Sequence, residues 1–297
     1  MTRLIQISDL HFGPPYVEKV GRLIPGLLDQ LEPDGIIISG DFTQNCREEE
    51  FQSARDFLDR LPEVPTIKIP GNHDVPKYYD ILGRLNHPYD LYRKYISEDL
   101  DVALNLDGLK IVGLNSTKPL QTIKNGRISR EQLRFAADQL ETAAESDWRI
   151  VIAHHHFAPA PDYEGSDVMP KAKRALDEFN RLQVDLIMGG HLHRAYIGNS
   201  LDVYSGSPDL ERGMIIVQCG TTTSRRGRAR EREKNSFNVI DFDDHQVTIT
   251  HWLYFDKWAR FCQVSQYRFP KPALRTLDCQ ARTVEWDEVE VGSEREH

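Results

Sequence analysis

The chain has 297 residues, of which 39% are hydrophobic and 28% charged, with a net charge of −9. This composition carries enough apolar matter for a sizeable core and excludes a disordered or collagen-like chain. The acidic balance excludes a generally basic nucleic-acid coat, and no apolar run approaches the ~18 residues that a membrane-spanning helix needs.

In chain order, Leu4 to Ser8 reads as a short strand and lacks the apolar core of a signal peptide. Val17, Val20, Leu23, Ile24, Leu27, Leu28 and Leu31 follow at helical spacing. Gly35 to Ser39 is an apolar strand ending in Gly40-Asp41, and Phe51, Ala54, Phe57, Leu58 and Leu61 mark a second helix. Thr66 to Ile69 is a third strand, ending in Pro70-Gly71. This rhythm predicts a sheet that is largely parallel at its centre and covered by helices. Strands at Val102–Leu106 and Lys110–Leu114 flank Asp107-Gly108, a two-residue hairpin turn. Ser129 is the N-cap of a helix carrying Leu133, Ala136, Ala137 and Leu140. Arg149 to Ala153 and Asp185 to Met188 are buried strands. After Arg194 the pattern is β only, with strands near Val203, Ile215–Cys219, Phe237–Phe242, Val247–Tyr254 and Phe261–Tyr267. Two packed sheets with outer helices accommodate this order. The last residues are Glu-rich, with few apolar anchors.

Five polar clusters each fall at the C-terminal end of a predicted strand, where open α/β sheets place ligands. They are Asp9-Leu10-His11, Gly40-Asp41, Gly71-Asn72-His73-Asp74, His154-His155-His156 and Gly189-Gly190-His191-Leu192-His193. In extended backbone Asp9 and His11 leave on one side, as do His191 and His193. Imidazoles, two carboxylates and an amide suit borderline divalent metals, and the absence of sulfur argues against a structural zinc. Two carboxylates with four or five His exceed the needs of one tetrahedral ion. A carboxylate shared between two ions resolves the surplus, and Asp41 is the natural bridge. The expected cofactors are therefore two divalent or transition-metal ions: Mn2+, Fe2+/Fe3+ or Zn2+.

Spanning residues 9 to 193 in this order, the blocks resemble the calcineurin-like metallophosphoesterase superfamily. Gly126-Arg127-Ile128-Ser129 with Gln132-Leu133, and Gly220-Thr221 with Asn235-Ser236-Phe237-Asn238, resemble its bacterial cyclic-nucleotide and glycerophosphodiester phosphodiesterase branch. Gly40-Asp41 is followed by Phe42-Thr43-Gln44, without the Asp-Arg-Gly of the phosphoprotein phosphatases or the iron-binding Tyr of the purple acid phosphatases.

The resemblance implies an α/β fold, a four-layer α-β-β-α sandwich of two mixed sheets, over a metallophosphoesterase domain at 1–270 with a tail at 271–297. It implies that Asp9, His11, Asp41 and His193 hold one metal, and that Asp41, Asn72, His154 and His191 hold the other. Pro159 sets His154 in register, with His155 as the alternative ligand. His73 would assist the leaving group, and Asp74 would orient the turn or the imidazole. The implied reaction is hydrolysis of a small phosphodiester by a metal-bridging hydroxide. The alternatives are a phosphomonoesterase or nuclease on the same metals, or a non-catalytic scaffold with this fold.

His155 and His156 are candidate substrate contacts, or only pocket lining. Arg225 opens a basic segment with Arg226, Arg228, Arg230 and Arg232, which reads as a solvated loop, a subunit contact or a substrate-phosphate clamp. The aromatic stretch from Trp252 to Phe269 reads as core or as the face of a homo-oligomer. The four cysteines (Cys46, Cys219, Cys262, Cys279) form no Cys-x-x-Cys pair and read as thiols of a cytoplasmic protein. No membrane partner is expected, and nucleic acid only as a short substrate.

Overall fold

Strands that are apolar at every position must be covered on both faces. In the computed structural model, which describes residues 1–119, 125–159, 168–202, 213–228, 231–232 and 234–271, each central strand meets that demand. The strands are β1 (Thr2–Ile7), β2 (Gly35–Ile38), β3 (Thr66–Lys68), β4 (Val102–Leu106), β5 (Leu109–Leu114), β6 (Trp148–Ala153), β7 (Leu186–Gly189), β8 (Tyr196–Asn199), β9 (Ile215–Gln218), β10 (Ser236–Phe242), β11 (Gln246–Phe255) and β12 (Arg260–Pro270). The helices are α1 (Glu18–Gly21), α2 (Ile24–Gln30), α3 (Glu48–Leu58), α4 (Ile81–Asn86), α5 (Asp90–Tyr95), α6 (Arg130–Leu140) and α7 (Ala172–Arg181).

One sheet runs β12-β11-β10-β1-β2-β3 and the other β4-β5-β6-β7-β9-β8. β1, β2 and β3 are parallel, as are β5, β6, β7 and β9, while β10, β11 and β12 in one sheet and β4 and β8 in the other pair antiparallel with their neighbours. Alternation of side chains divides the apolar residues into three cores. Leu4, Ile37, Ile150, Ile152 and Ile240 pack between the sheets. Ile5, Ile7, Ile36 and Ile38 face the other way, against Leu28, Phe51 and Phe57 of α2 and α3. Val151, Ala153 and Ile187 face Ala136, Leu140, Leu176 and Phe179 of α6 and α7. The layers are therefore α-β-β-α, as expected.

The expected hairpin joins β4 to β5 with Leu106 opposite Leu109, and Gly108 takes φ +70°. Ser129 caps α6, its hydroxyl accepting from Gln132 N while the Gln132 side chain accepts from Ser129 N. Helix α7 is absent from the sequence expectation. Its apolar face is only Ala172, Ala175, Leu176 and Phe179, and Lys171 at its N-cap position makes no side-chain cap. The short helices α4 and α5 and strand β8 also went unread. Val203 lies outside the described residues, as do Arg230 and all of the expected tail except Lys271. Among the described residues, no helix is long and apolar enough to cross a membrane.

Candidate metal centre

The C-terminal ends of the parallel strands of both sheets meet along one edge, and each expected ligand stands just beyond one of them. The chain must turn sharply there. Asp9 (φ 51°), His11 (49°), Asp41 (57°), His191 (72°) and His193 (53°) all take left-handed backbone. This corrects the expectation of extended Asp-x-His and His-x-His segments. Each pair reaches the site through left-handed turns, while the residue between, Leu10 or Leu192, packs into a core. Non-glycine residues at such angles cost of order 1 kcal/mol or more each, and cluster where function requires them.

Hydrogen bonds hold the turns. The Asp9 carboxylate accepts from His191 N (3.0 Å) and Ser8 Oγ (2.7 Å), tying the end of β1 to the end of β7. Asp41 Oδ1 accepts from His73 N (2.8 Å). Asp74 is fully buried and accepts from Gly71 N (2.8 Å), Thr43 N (2.9 Å) and Phe42 N (3.2 Å), so it braces the turn rather than the His73 ring. Gly40 takes φ +99°, and a Cβ there would lie 2.6 Å from His154 Nδ1.

Main-chain carbonyls orient three rings. His154 Nδ1 lies 2.7 Å from Ser39 O, His11 Nδ1 3.3 Å from Thr43 O and His73 Nδ1 2.7 Å from Gln44 O. Such bonds select which nitrogen faces a metal. Asp9, His11, Asp41 and His193 bring one ligand atom each within 4.8 Å of one another. His11 Nε2 and His193 Nε2 are 3.0 Å apart, and His193 Nε2 is 3.1 Å from Asp9 Oδ1. Beside this group, Asn72 Oδ1 lies 2.8 Å from His191 Nδ1 and 3.2 Å from His154 Nε2. Asp41 Oδ2 stands between the two sets, 3.6 Å from His11 Nε2 and 3.4 Å from His154 Nε2. It is buried and accepts no hydrogen bond among the described residues. A buried carboxylate oxygen left bare costs free energy that a cation offsets. The donor set thus fits two borderline metal ions sharing Asp41.

Electrostatics agree. Burial alone would raise Asp9, but His193, His11 and His154 outweigh it and hold the carboxyl far below its ordinary range. Asp41 is likewise held down against burial by His154, His73 and His11. Burial takes His11 down to about 4 and pushes His191 well below its ordinary value, leaving both rings neutral as ligation requires. Burial and then the Asp41 charge push Asp74 up to about 7, against its backbone N–H donors.

His154 is the exception. Burial lowers it, but the Asp41 charge 3.4 Å away, with Asp9 and Ser39 O, raises it to about 9 from 6.5. In the metal-free protein this stability is fully present below pH 6.5 and is lost as the pH rises through 9. A metal at Nε2 requires the neutral ring, so binding displaces that proton and strengthens over the same window. The increase in Tm on adding Mn2+ is therefore expected to grow from pH 6.5 to 9. Thermal unfolding with and without Mn2+ checks this, and a flat or shrinking increment contradicts it.

The remaining candidates sit around the cluster. His155 Nδ1 lies 2.7 Å from Ser116 Oγ, so it is His154 whose Nε2 faces Asp41 and Asn72. The His155 and His156 rings lie 4.7 and 5.6 Å from that of His191. Arg225 is not brought in: its side chain is exposed, near Lys19, and its N–H donates to Pro15 O (2.8 Å). Its neighbour Arg226 turns inward and donates from Nη1 to Gln44 Oε1 (2.8 Å). Gln44 and Arg226 carried no individual sequence signal, because Gln44 meets His73 through its main chain.

The sequence model of the family described as calcineurin-like phosphoesterase matches residues 2–195. Over 219 residues the chain is 27% identical to a protein of Synechococcus sp. described as a probable cyclic nucleotide phosphodiesterase, covering 69% of this chain and 79% of that one. Over 210 residues it is 28% identical to a probable glycerophosphodiester phosphodiesterase of Arcobacter nitrofigilis, covering 64% and 71%. Among solved structures, a purple acid phosphatase from yellow lupin superposes with a TM-score of 0.68 at 15% identity over 90% of this chain. The match spans about half of the lupin protein, 53%. A dimetal phosphatase of Danio rerio gives 0.62 at 11% identity, covering 91% of this chain and 99% of that one. These two likenesses are of fold.

Proposed function

The chain belongs to the calcineurin-like phosphoesterase family, metal-dependent phosphoester hydrolases that use two metal ions, and from that premise we propose that it hydrolyses small phosphodiesters of the cyclic-nucleotide or glycerophosphodiester type. The observation that carries the metal site is Asp41 Oδ2, bare and buried between two ligand sets. The diester preference is supported by the names of the two curated relatives.

In this reading Asp41 would hold both ions, with Asp9, His11 and His193 as the further ligands of one and Asn72, His154 and His191 as those of the other. Bound metals supply Lewis acidity and a nucleophile at neutral pH. His73 works at the leaving group. Its Nδ1–H donates to Gln44 O, so its proton exchange with the departing oxygen runs through Nε2. Burial, with Arg226 and His193, holds His73 below its ordinary value against Asp41 and Gln44, so its cation gains share as the pH falls. Asp74 keeps the Gly71–Asp74 turn and the Asp41 loop in register through their backbone N–H groups. His155 and His156 line the substrate side beside His191. The catalytic unit is assigned to residues 1–270. A reducing cytoplasm suits the free thiols of Cys46, Cys219 and Cys262.

His73→Ala is expected to lower kcat on alkyl diesters by roughly 10²- to 10⁴-fold and much less on nitrophenyl diesters, whose leaving group needs no proton. Bound Mn2+ should stay unchanged. Equal losses on both substrate types would remove His73 from the leaving group. The function itself is tested by assaying the Mn2+-loaded protein on an aryl diester, a cyclic nucleotide, a glycerophosphodiester, a monoester and single-stranded DNA. Faster turnover of the monoester or the DNA would replace the diester reading with the phosphomonoesterase or nuclease one. No turnover of any of them would favour the scaffold.

A further inference from the structure

The segment after β9 carries a cation that no carboxylate pairs among the described residues. Thr221 to Ser224 are fully buried and stitched to the Asp9 loop. Thr221 Oγ1 donates to Asp9 O (2.6 Å), Thr223 Oγ1 to Leu10 O (2.8 Å) and Thr222 N to Ser8 O (2.9 Å), while Val17 N donates to Thr223 O (2.7 Å). This sets the Arg226 backbone firmly beside two expected ligands. The Arg226 side chain is half-buried, and a single hydrogen bond, to Gln44 Oε1, engages its guanidinium among the described residues. Gln44 O in turn meets His73 Nδ1, so Arg226, Gln44 and His73 form one continuous rim.

A guanidinium has five N–H donors, and partial burial of an unpaired one is costly. Burial lowers the Arg226 value, and the Asp41 and Asp9 charges pull it back up, which places the cation in the field of the metal centre. Several exposed arginines are answered by carboxylates, as Arg3 is by Asp241, Arg22 by Glu18, Arg55 by Asp59 and Arg181 by Glu178. A half-buried cation beside this cluster, with most of its donors unspent among the described residues, suits an anion.

We propose that Arg226 is a substrate-binding residue whose free N–H edge grips a non-bridging oxygen of the phosphoryl group being hydrolysed, on the His73 side of the site. It rests on the phosphoester-hydrolase reading above for the identity of the anion. The guanidinium supplies charge from the protein itself, and its fork distinguishes a phosphoryl oxygen from a neutral group of the same shape.

The probe is inorganic phosphate, titrated calorimetrically into the Mn2+-loaded protein. Arg226→Ala and Arg226→Gln are expected to weaken phosphate binding by roughly tenfold or more, with partial recovery in Arg226→Lys and unchanged Mn2+ content. The KM for diesters should rise in parallel. Arg226→Gln keeps a polar partner for Gln44, so it separates loss of the anion contact from loss of packing. Phosphate affinity within twofold of wild type in both variants overturns the proposal. So does a loss carried by Arg225→Ala instead, or a variant that only shifts the pH profile of kcat, which would mean that Arg226 acts through Gln44 on His73. A wild-type protein that binds no phosphate also overturns it. Should the wild type hydrolyse nothing while the Arg226 variants still lose phosphate, the hydrolase reading fails and the anion contact stands.

Discussion

Asp41→Ala is expected to lower Mn2+-dependent diester hydrolysis by at least on the order of 10³-fold, because in the proposed site one side chain would serve both ligand sets. Its Oδ2 lies 3.6 Å from His11 Nε2 and 3.4 Å from His154 Nε2, so in the proposed site its removal would take a ligand from each set at once. It also frees the His73 N–H that Oδ1 accepts, loosening the leaving-group turn. Bound metal, measured by elemental analysis, should fall below two ions per chain, and the Tm gain from Mn2+ should vanish. In the metal-free protein the largest force raising His154 is the Asp41 charge. The His154 titration, followed by NMR, should therefore move down in this variant. Asp41→Asn keeps an acceptor for His73 N but not the charge, so it should fold normally and still bind metal poorly. Wild-type turnover in Asp41→Ala would remove the shared carboxylate from the mechanism.

Gly71→Val is expected to cost comparable activity without deleting any ligand. A Cβ at position 71 would lie 2.2 Å from Asp41 Oδ1 and 2.3 Å from Asp41 N. The second contact is with backbone, so no rotamer change relieves it. Either the end of β2 or the turn carrying Asn72 and His73 must move. A displacement near 1 Å at a reacting centre costs on the order of 10²-fold in rate, and overpacking costs about 1–3 kcal/mol in stability. Gly26→Ala is the matched control. Gly26 lies within α2 with nothing within 4 Å of its added Cβ, so that change should raise stability by about 0.5–1 kcal/mol and leave turnover alone. Activity and Tm measured on both variants check the pair. An active Gly71→Val would show that the Asp41 and Asn72 loops do not need their close approach.

Much of the site was legible because its information is local. Apolar runs followed by Asp-x-His, Gly-Asp, Gly-Asn-His-Asp and His-x-His mark strand ends bearing metal-ligating side chains, whichever strands later become neighbours. The order of the blocks supplied the family, and the surplus of ligands over one ion pointed to Asp41 as shared. Helix α7 escaped although Ala172, Ala175, Leu176 and Phe179 stand at helical spacing, because two of the four are small and no capping side chain marks its start. Its apolar face packs against Val151 and Ile187 of β6 and β7, which adds tertiary support to a segment already rich in helix formers.

What the tertiary structure decided is how residues far apart in sequence meet. His11 and His193 are separated by 182 positions, yet their Nε2 atoms lie 3.0 Å apart, a distance set by how the edges of two sheets face one another. The left-handed backbone at Asp9, His11, Asp41, His191 and His193 is imposed by that junction, since side chains with a Cβ do not favour it alone. Assigning the inward cation to Arg226 and not Arg225 depends on the single bridge between Tyr16 and Ser224, which sets which residues of the segment face the metal loops. Residue type and spacing determined which chemistry this chain carries. Three-dimensional packing alone decided which atom faces which, because distances across strands are not written along any one of them.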